Sequence, residues 1–295
     1  MNKAIDVFDL SKKYGSHFAL KDLNLSINEG EFFGLIGPNG AGKSTLIRIL
    51  LNMIFATSGE AAIFNLDCAK ESAEIKKMTS YVSSDVSYYD SMKVKDIFRL
   101  VAKFHHVVDF NQQMAYYTEL FDLQLNKKFR ELSLGNKRKV AIICGLLPQP
   151  KLLILDEPTN GLDPLIQFRL FEILEEKNKQ GMTIILSSHD LKEVQTHCEK
   201  AAFIKEGKII AEEKLKESHL KEKVLVLYGN DLPKESFENQ GCRLLQSDMN
   251  SLTFHVQHDV RQLFPLFYDE RIIDFTIRPQ ELEDKFLSLY VKGEN

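Results

Sequence analysis

An α/β fold with a small C-terminal α+β domain is what this sequence predicts, on three observations. A glycine-rich run, Gly37-Pro38-Asn39-Gly40-Ala41-Gly42-Lys43-Ser44-Thr45, sits between a short apolar stretch and an amphipathic one. A second apolar stretch, residues 152–155, delivers two adjacent carboxylates, Asp156 and Glu157. A Lys- and Glu-rich segment, 211–223, then precedes a shorter alternation of strand-like and helix-like runs, and it is the best candidate for a domain boundary. With 295 residues and 44% hydrophobic content, the chain can pack a main domain and an appendix.

Residues 5–10, 19–27 and 31–36 read as strands, and 45–54 as an amphipathic helix whose N-terminus faces the glycine-rich run. From about 88 to 147 the pattern turns helical, with Val94, Ile97, Phe98, Val101 and Phe104 recurring every three or four residues. Pro148 and Pro150 end that stretch. Core strands return at 152–155 and 183–186, apolar almost throughout, as strands covered on both faces are. Residues 200–210, with Gly207-Lys208 near the middle, read as a closing hairpin. Past the boundary, strand-like runs at 224–228, 252–256 and 272–278 alternate with helical patterns around 260–268 and 279–290, the last with Pro279 in its first turn.

Charge and cysteines exclude some classes. A net charge of -4 gives no global attraction to nucleic acid, and none is expected as a partner. The basic residues Lys127, Lys128, Arg130, Lys137, Arg138 and Lys139 read as a solvated face, with anion or partner contact as the alternative. Cysteines 68, 144, 198 and 242 lack ligand spacing and fit reduced thiols. Neither a charged-plus-apolar leader nor an apolar run near the ~18 residues that span a bilayer is visible, so the chain is not expected to be a channel or permease itself.

The glycine-rich run is a phosphate-binding loop. Glycines at 37, 40 and 42 let successive N–H groups turn inward toward phosphate oxygens. Lys43 is placed to reach β- and γ-phosphates, and Ser44 to offer its hydroxyl to Mg²⁺. The expected ligand is therefore a nucleoside triphosphate. Asp156 can hold Mg²⁺ through its water shell, and Glu157 can polarise an attacking water, which suits hydrolysis. His189, after the 183–186 strand, can reach the γ-phosphate or serve a structural role.

Further motifs fall around these: Leu132-Ser133-Leu134-Gly135-Asn136 shortly before the 152–155 strand, Gly161-Leu162-Asp163 after Glu157, and Tyr14 ahead of the phosphate loop. In this order and spacing, residues 1–212 resemble the nucleotide-binding subunit of an ABC transporter. The resemblance implies a P-loop NTPase cassette with a mixed β core, a helical subdomain at 88–150, and a separate accessory domain at 213–295. It implies ATP and Mg²⁺ as ligands, held by the loop from Gly37 to Thr45, by Asp156, and by Tyr14 stacked on adenine. It makes Glu157 and His189 the catalytic pair and Asp163 the D-loop residue. It also implies a head-to-tail dimer, in which Ser133, Gly135 and Asn136 of one copy contact the γ-phosphate held by the other. Two departures stand out: Ser84 occupies the position where the family carries the Q-loop glutamine, and Leu134 and Asn136 replace the commonest Gly and Gln of the signature.

The ending Arg278-Pro279-Gln280-Glu281-Leu282-Glu283-Asp284-Lys285-Phe286-Leu287 is similar to that of subunits from ABC-2 type exporters, and a plain amphipathic helix with Leu282, Phe286 and Leu287 on one face explains it equally. The leading expectation is an ATPase peripheral on the cytoplasmic face of the membrane, bound to a separately encoded permease and driving export. A soluble ABC ATPase acting on nucleic acid or ribosomes, and a low-turnover regulatory ATP-binding module, are the competing classes.

Overall fold

The computed structural model describes residues 2–215 and 223–290, except for the side chains of Leu287, Ser288 and Tyr290; residues 216–222 of the Lys/Glu-rich boundary segment lie outside it. The chain divides into two compact units, one through Glu213 and one from Lys214.

The first unit holds two sheets. Strands β1 (Lys3–Tyr14), β2 (His17–Asn28), β4 (Ser58–Ile63) and β5 (Leu66–Asp67) form an antiparallel sheet in the order β2-β1-β4-β5. Strands β3 (Phe32–Ile36), β6 (Thr79–Val82), β7 (Leu152–Asp156), β8 (Thr183–Ser188), β9 (Lys200–Lys205) and β10 (Lys208–Lys214) form a six-stranded sheet in the order β10-β9-β3-β8-β7-β6. Pairing is parallel from β9 through β6. Every residue of β3, β7 and β8 is buried, which is why their sequences are apolar without alternation.

Register then decides where the site lies. Ile36 pairs with Ser188, Asp156 with Ser187, and Val82 with Leu155, so β3, β6, β7 and β8 end at one level. The loops leaving those ends converge beyond the carboxyl edge of the sheet, where ligands of parallel sheets bind. Helix α1 (Lys43–Leu50) begins two residues earlier than its apolar pattern suggests, so Lys43 and Ser44 form its first turn. Helices α2 (Ser72–Met78), α3 (Val94–His105), α4 (Phe110–Leu120), α5 (Leu134–Leu146), α6 (Pro164–Lys179) and α7 (Leu191–His197) complete the unit. Helix α3 buries Val94, Ile97 and Phe98 but leaves Phe104 exposed. Helix α5 is buried without interruption from Arg138 to Leu146. The solvated basic face is corrected here, because Arg138 and Lys139 point into the protein.

The second unit is an antiparallel sheet, β12-β13-β11-β14, built from β11 (Lys223–Gly229), β12 (Arg243–Asp248), β13 (Ser251–Val256) and β14 (Ile272–Pro279). Helix α8 (Lys234–Asn239) and the 3-10 helix Val260–Tyr268 contribute Phe237 and Leu263 to a core with Leu225, Leu227 and Phe254. Pro279 does not start the last helix. It ends edge strand β14, opposite Lys223, and α9 begins at Leu282. The Arg278 guanidinium grips both Asp284 oxygens at 2.6 and 2.7 Å and so joins β14 to the first turn of α9.

Candidate functional site

A cavity of about 500 Å³ opens beyond the carboxyl edge of the six-stranded sheet, walled by Pro38 through Thr45, Ser84, Asp156, Glu157, Asn160 and His189. The loop at its floor is a cradle that only glycine can complete at one corner. Gly42 has φ +114°, and a Cβ there would lie 2.7 Å from the Ala19 carbonyl oxygen. Gly42 precedes α1 without any side-chain cap, so the first N–H groups of the helix face the cavity with no competing side chain. Such a floor fits a polyphosphate.

Lys43 is buried, and its ammonium donates to the carbonyl oxygens of Gly37 and Pro38. Burial pulls its pKa down, while Glu157 and Asp156 pull it back up. The lysine is thus held by the loop's own oxygens, within the field of the two carboxylates. Ser44 Oγ donates to Asp156 Oδ2 at 3.2 Å, and the Tyr81 hydroxyl approaches the same oxygen at 3.4 Å. A hydroxyl beside a carboxylate, both hard oxygen donors, fits Mg²⁺, which binds through few protein ligands and keeps the rest for water and phosphate.

Glu157 has φ +51°, a left-handed conformation that costs a non-glycine residue about 1 kcal/mol. Its N–H donates to the Ser187 carbonyl at 2.8 Å, which holds the unusual turn in place. The turn aims the carboxylate at His189, whose Nδ1 lies 2.5 Å from Oε2. His189 is exposed whereas the Glu157 side chain is largely covered, so the imidazole forms the open rim of the pair. Behind it, Glu193 accepts from Ser188 Oγ at 3.0 Å, and burial raises the Glu193 pKa. Asp190 caps α7 by accepting from the Lys192 and Glu193 amides.

Other expected site residues stand apart from this cavity. Ser133 is the N-cap of α5, its Oγ accepting from the Asn136 amide at 3.3 Å. A Cβ on Gly135 would lie 2.6 Å from the Gly161 carbonyl oxygen, so the start of α5 packs backbone to backbone on the turn after Glu157. Asp163 caps α6, accepting from the Ile166 amide at 3.1 Å, with Pro164 following. Tyr14 is half-exposed at the β1–β2 turn, with the Lys12 ammonium 4.8 Å from its ring centre. None of these lines the cavity.

Sequence reasoning missed Asn160, Tyr81, Glu193 and Arg138. Asn160 stands between Glu157 and Gly161, and its polar character in a strand-end turn was the available signal. The other three act through partners remote in sequence or carry no motif of their own.

The sequence profile of the ABC transporter family matches residues 20–160. The bacitracin transport ATP-binding protein BcrA of Bacillus licheniformis is 31% identical, across 99% of both chains. The Nod factor export ATP-binding protein I of Rhizobium leguminosarum is 30% identical, over 97% of this chain and 94% of that protein. The ABC transporter ATP-binding protein YbhF of Escherichia coli K12 is also 30% identical, but the chain spans only 36% of its length. Among solved structures, the dimeric ATP-binding cassette MJ0796 bound to ADP and Pi superposes with a TM-score of 0.66 at 26% identity, over 72% of this chain and 98% of that one. The phosphate cradle, the carboxylate-tipped β7 and these similarities agree, and the chain belongs to the family of ABC transporter ATP-binding proteins.

Proposed function

We propose that this chain hydrolyses ATP as one half of a dimer and energises a separately encoded membrane permease for export. The observation that carries this reading is the gathering of Lys43, Ser44, Asp156, Glu157 and His189 around one cavity, from three separate segments of the chain.

Lys43 and the N-terminus of α1 attract and orient the phosphate chain. Ser44 and Asp156 would hold Mg²⁺, which when bound supplies charge neutralisation at the β- and γ-phosphate oxygens. Glu157 takes a proton from the attacking water, and its left-handed backbone aims it for that task. His189 holds the Glu157 carboxylate from the open side and reaches toward the γ-phosphate. Ser133, Gly135 and Asn136 of a second copy close the cavity, a role consistent with the dimeric form of the MJ0796 cassette. Tyr14 stacks on the adenine. Residues 88–150 and the turn at Ser84 contact the permease at the cytoplasmic face. Among the described residues, no helix is long and apolar enough to cross a membrane. The similarity to a bacitracin transport and a Nod factor export protein favours transport, and export in particular, over action on nucleic acid or ribosomes.

Glu157→Gln keeps the shape of the side chain and removes the base. The variant is expected to retain Mg-ATP binding, to lose turnover by about 10²-fold or more, and to accumulate as an ATP-bound dimer in sedimentation. A variant that stays monomeric at saturating Mg-ATP rejects the assignment.

A further inference from the structure

Arg138 lies on α5, just past Ser133 and Gly135, and only 4% of it is exposed. Its Nη1 donates to the Ser83 carbonyl at 2.6 Å and its Nη2 to the Ser84 carbonyl at 2.7 Å. Both acceptors belong to the turn that leaves β6, and Ser84 of that turn lines the phosphate cavity. Burial pulls the Arg138 pKa down, and the negative charges of Asp156, Asp85 and Glu157 offset part of that cost. The planar fork fixes two oxygens in one geometry, which a lysine ammonium or an apolar chain of equal length does not.

The same helix is anchored a second time, where Gly135 meets the Gly161 carbonyl. Helix α5 therefore rests on two turns that border the chain's own cavity, one after β6 and one after β7. Ser84 is too short to span from its turn to a phosphate or its metal in the way a glutamine amide would. What the turn retains is a rigid backbone link to α5.

We infer that Arg138 is a positioning residue: it locks the Ser83-Ser84 turn to α5, so that Mg-ATP in a chain's cavity sets the pose of that chain's own Ser133 and Gly135 toward the second copy. This rests on the dimer reading above and adds a direction to it. Occupancy in one cavity prepares the closing surface for the other, so the two sites of a dimer are interdependent.

The test compares Glu157→Gln with Glu157→Gln/Arg138→Met, using Mg-ATP as the probe. Mg-ATP affinity of the monomer is expected to stay within about twofold, while the dimer weakens by about tenfold or more, the size of losing a charge-assisted pair of bonds. In the Glu157 background, Arg138→Met should lower kcat about tenfold with KM nearly constant, and bring the Hill coefficient for Mg-ATP toward one. Arg138→Lys, which keeps the charge but not the fork, should fall between the two and carries the test alone if the Met variant does not fold. Equal dimerisation with and without Arg138 overturns the inference. So does a loss of Mg-ATP binding as large as the loss of dimer, which would make Arg138 a support of the cavity alone. If Glu157→Gln itself stays monomeric, the dimer reading fails, and this inference falls with it.

Discussion

Helices α1 and α5 each start beside a glycine and a hydroxyl, yet their N-termini are finished in different ways. The first turn of α1 carries Lys43 and Ser44, has no side-chain cap, and opens into the cavity. The first turn of α5 is capped by its own Ser133 and lies against Gly161. The contrast separates an open helix end from a closed one. At α1 the helix leaves its donors for a ligand, so that a phosphate supplies the missing cap. At α5 the Asn136 amide is already engaged by Ser133, so Ser133 would have to exchange an internal bond for one to a neighbouring copy's ligand. In the proposed dimer a nucleotide would therefore enter the α1 side first, with the α5 side joining on closure.

The largest effect that could break this comparison comes from Ser133. Ser133→Ala should remove the cap, at about 1 kcal/mol of stability, and also lower turnover by about 10²-fold if the hydroxyl serves the second copy's phosphate. Ser133→Asn keeps a capping oxygen. The melting temperature should then recover while turnover does not; recovery of both would reduce Ser133 to a cap. Next in size is Gly135→Ala. Its Cβ meets a backbone oxygen at 2.6 Å, so α5 must shift, and calorimetry should register a loss of about 1–3 kcal/mol. An unchanged melting temperature would mean that α5 is not seated on Gly161. The smallest effect is expected from Ser84→Gln, which restores the longer amide at the Q-loop position. Turnover with the permease should rise several-fold, about 1 kcal/mol in barrier; an unchanged rate in the assembled complex would show that this side chain is not limiting.

The phosphate loop and the Asp156-Glu157 pair were legible because their chemistry is contiguous: glycines, a lysine and a hydroxyl in one run, and an apolar strand ending in carboxylates. The parallel strands were legible for a related reason, since burial on both faces leaves unbroken apolar runs. The Arg138 link was hidden because its partners are backbone carbonyls 55 and 54 residues earlier, which no spacing rule marks. Its five basic neighbours in the cluster then suggested a solvated face. The left-handed turn at Glu157 was equally hidden, because a glutamate does not advertise positive φ as glycine does. Pro279 misled in the opposite sense. Proline suits the first turn of a helix and the end of an edge strand alike, and only the pairing with Lys223 separates the two.

The central claim is that each cavity is closed by the α5 end of a second copy, and mixing two crippled chains tests it most directly. Glu157→Gln lacks the base but still holds Mg-ATP and has an intact α5 end; Ser133→Ala has the reverse. A mixed dimer contains one site built from the intact halves of both. Each variant alone should turn over ATP slowly, and the mixture is expected to recover activity well above either parent. A mixture no more active than its separate components contradicts the shared site.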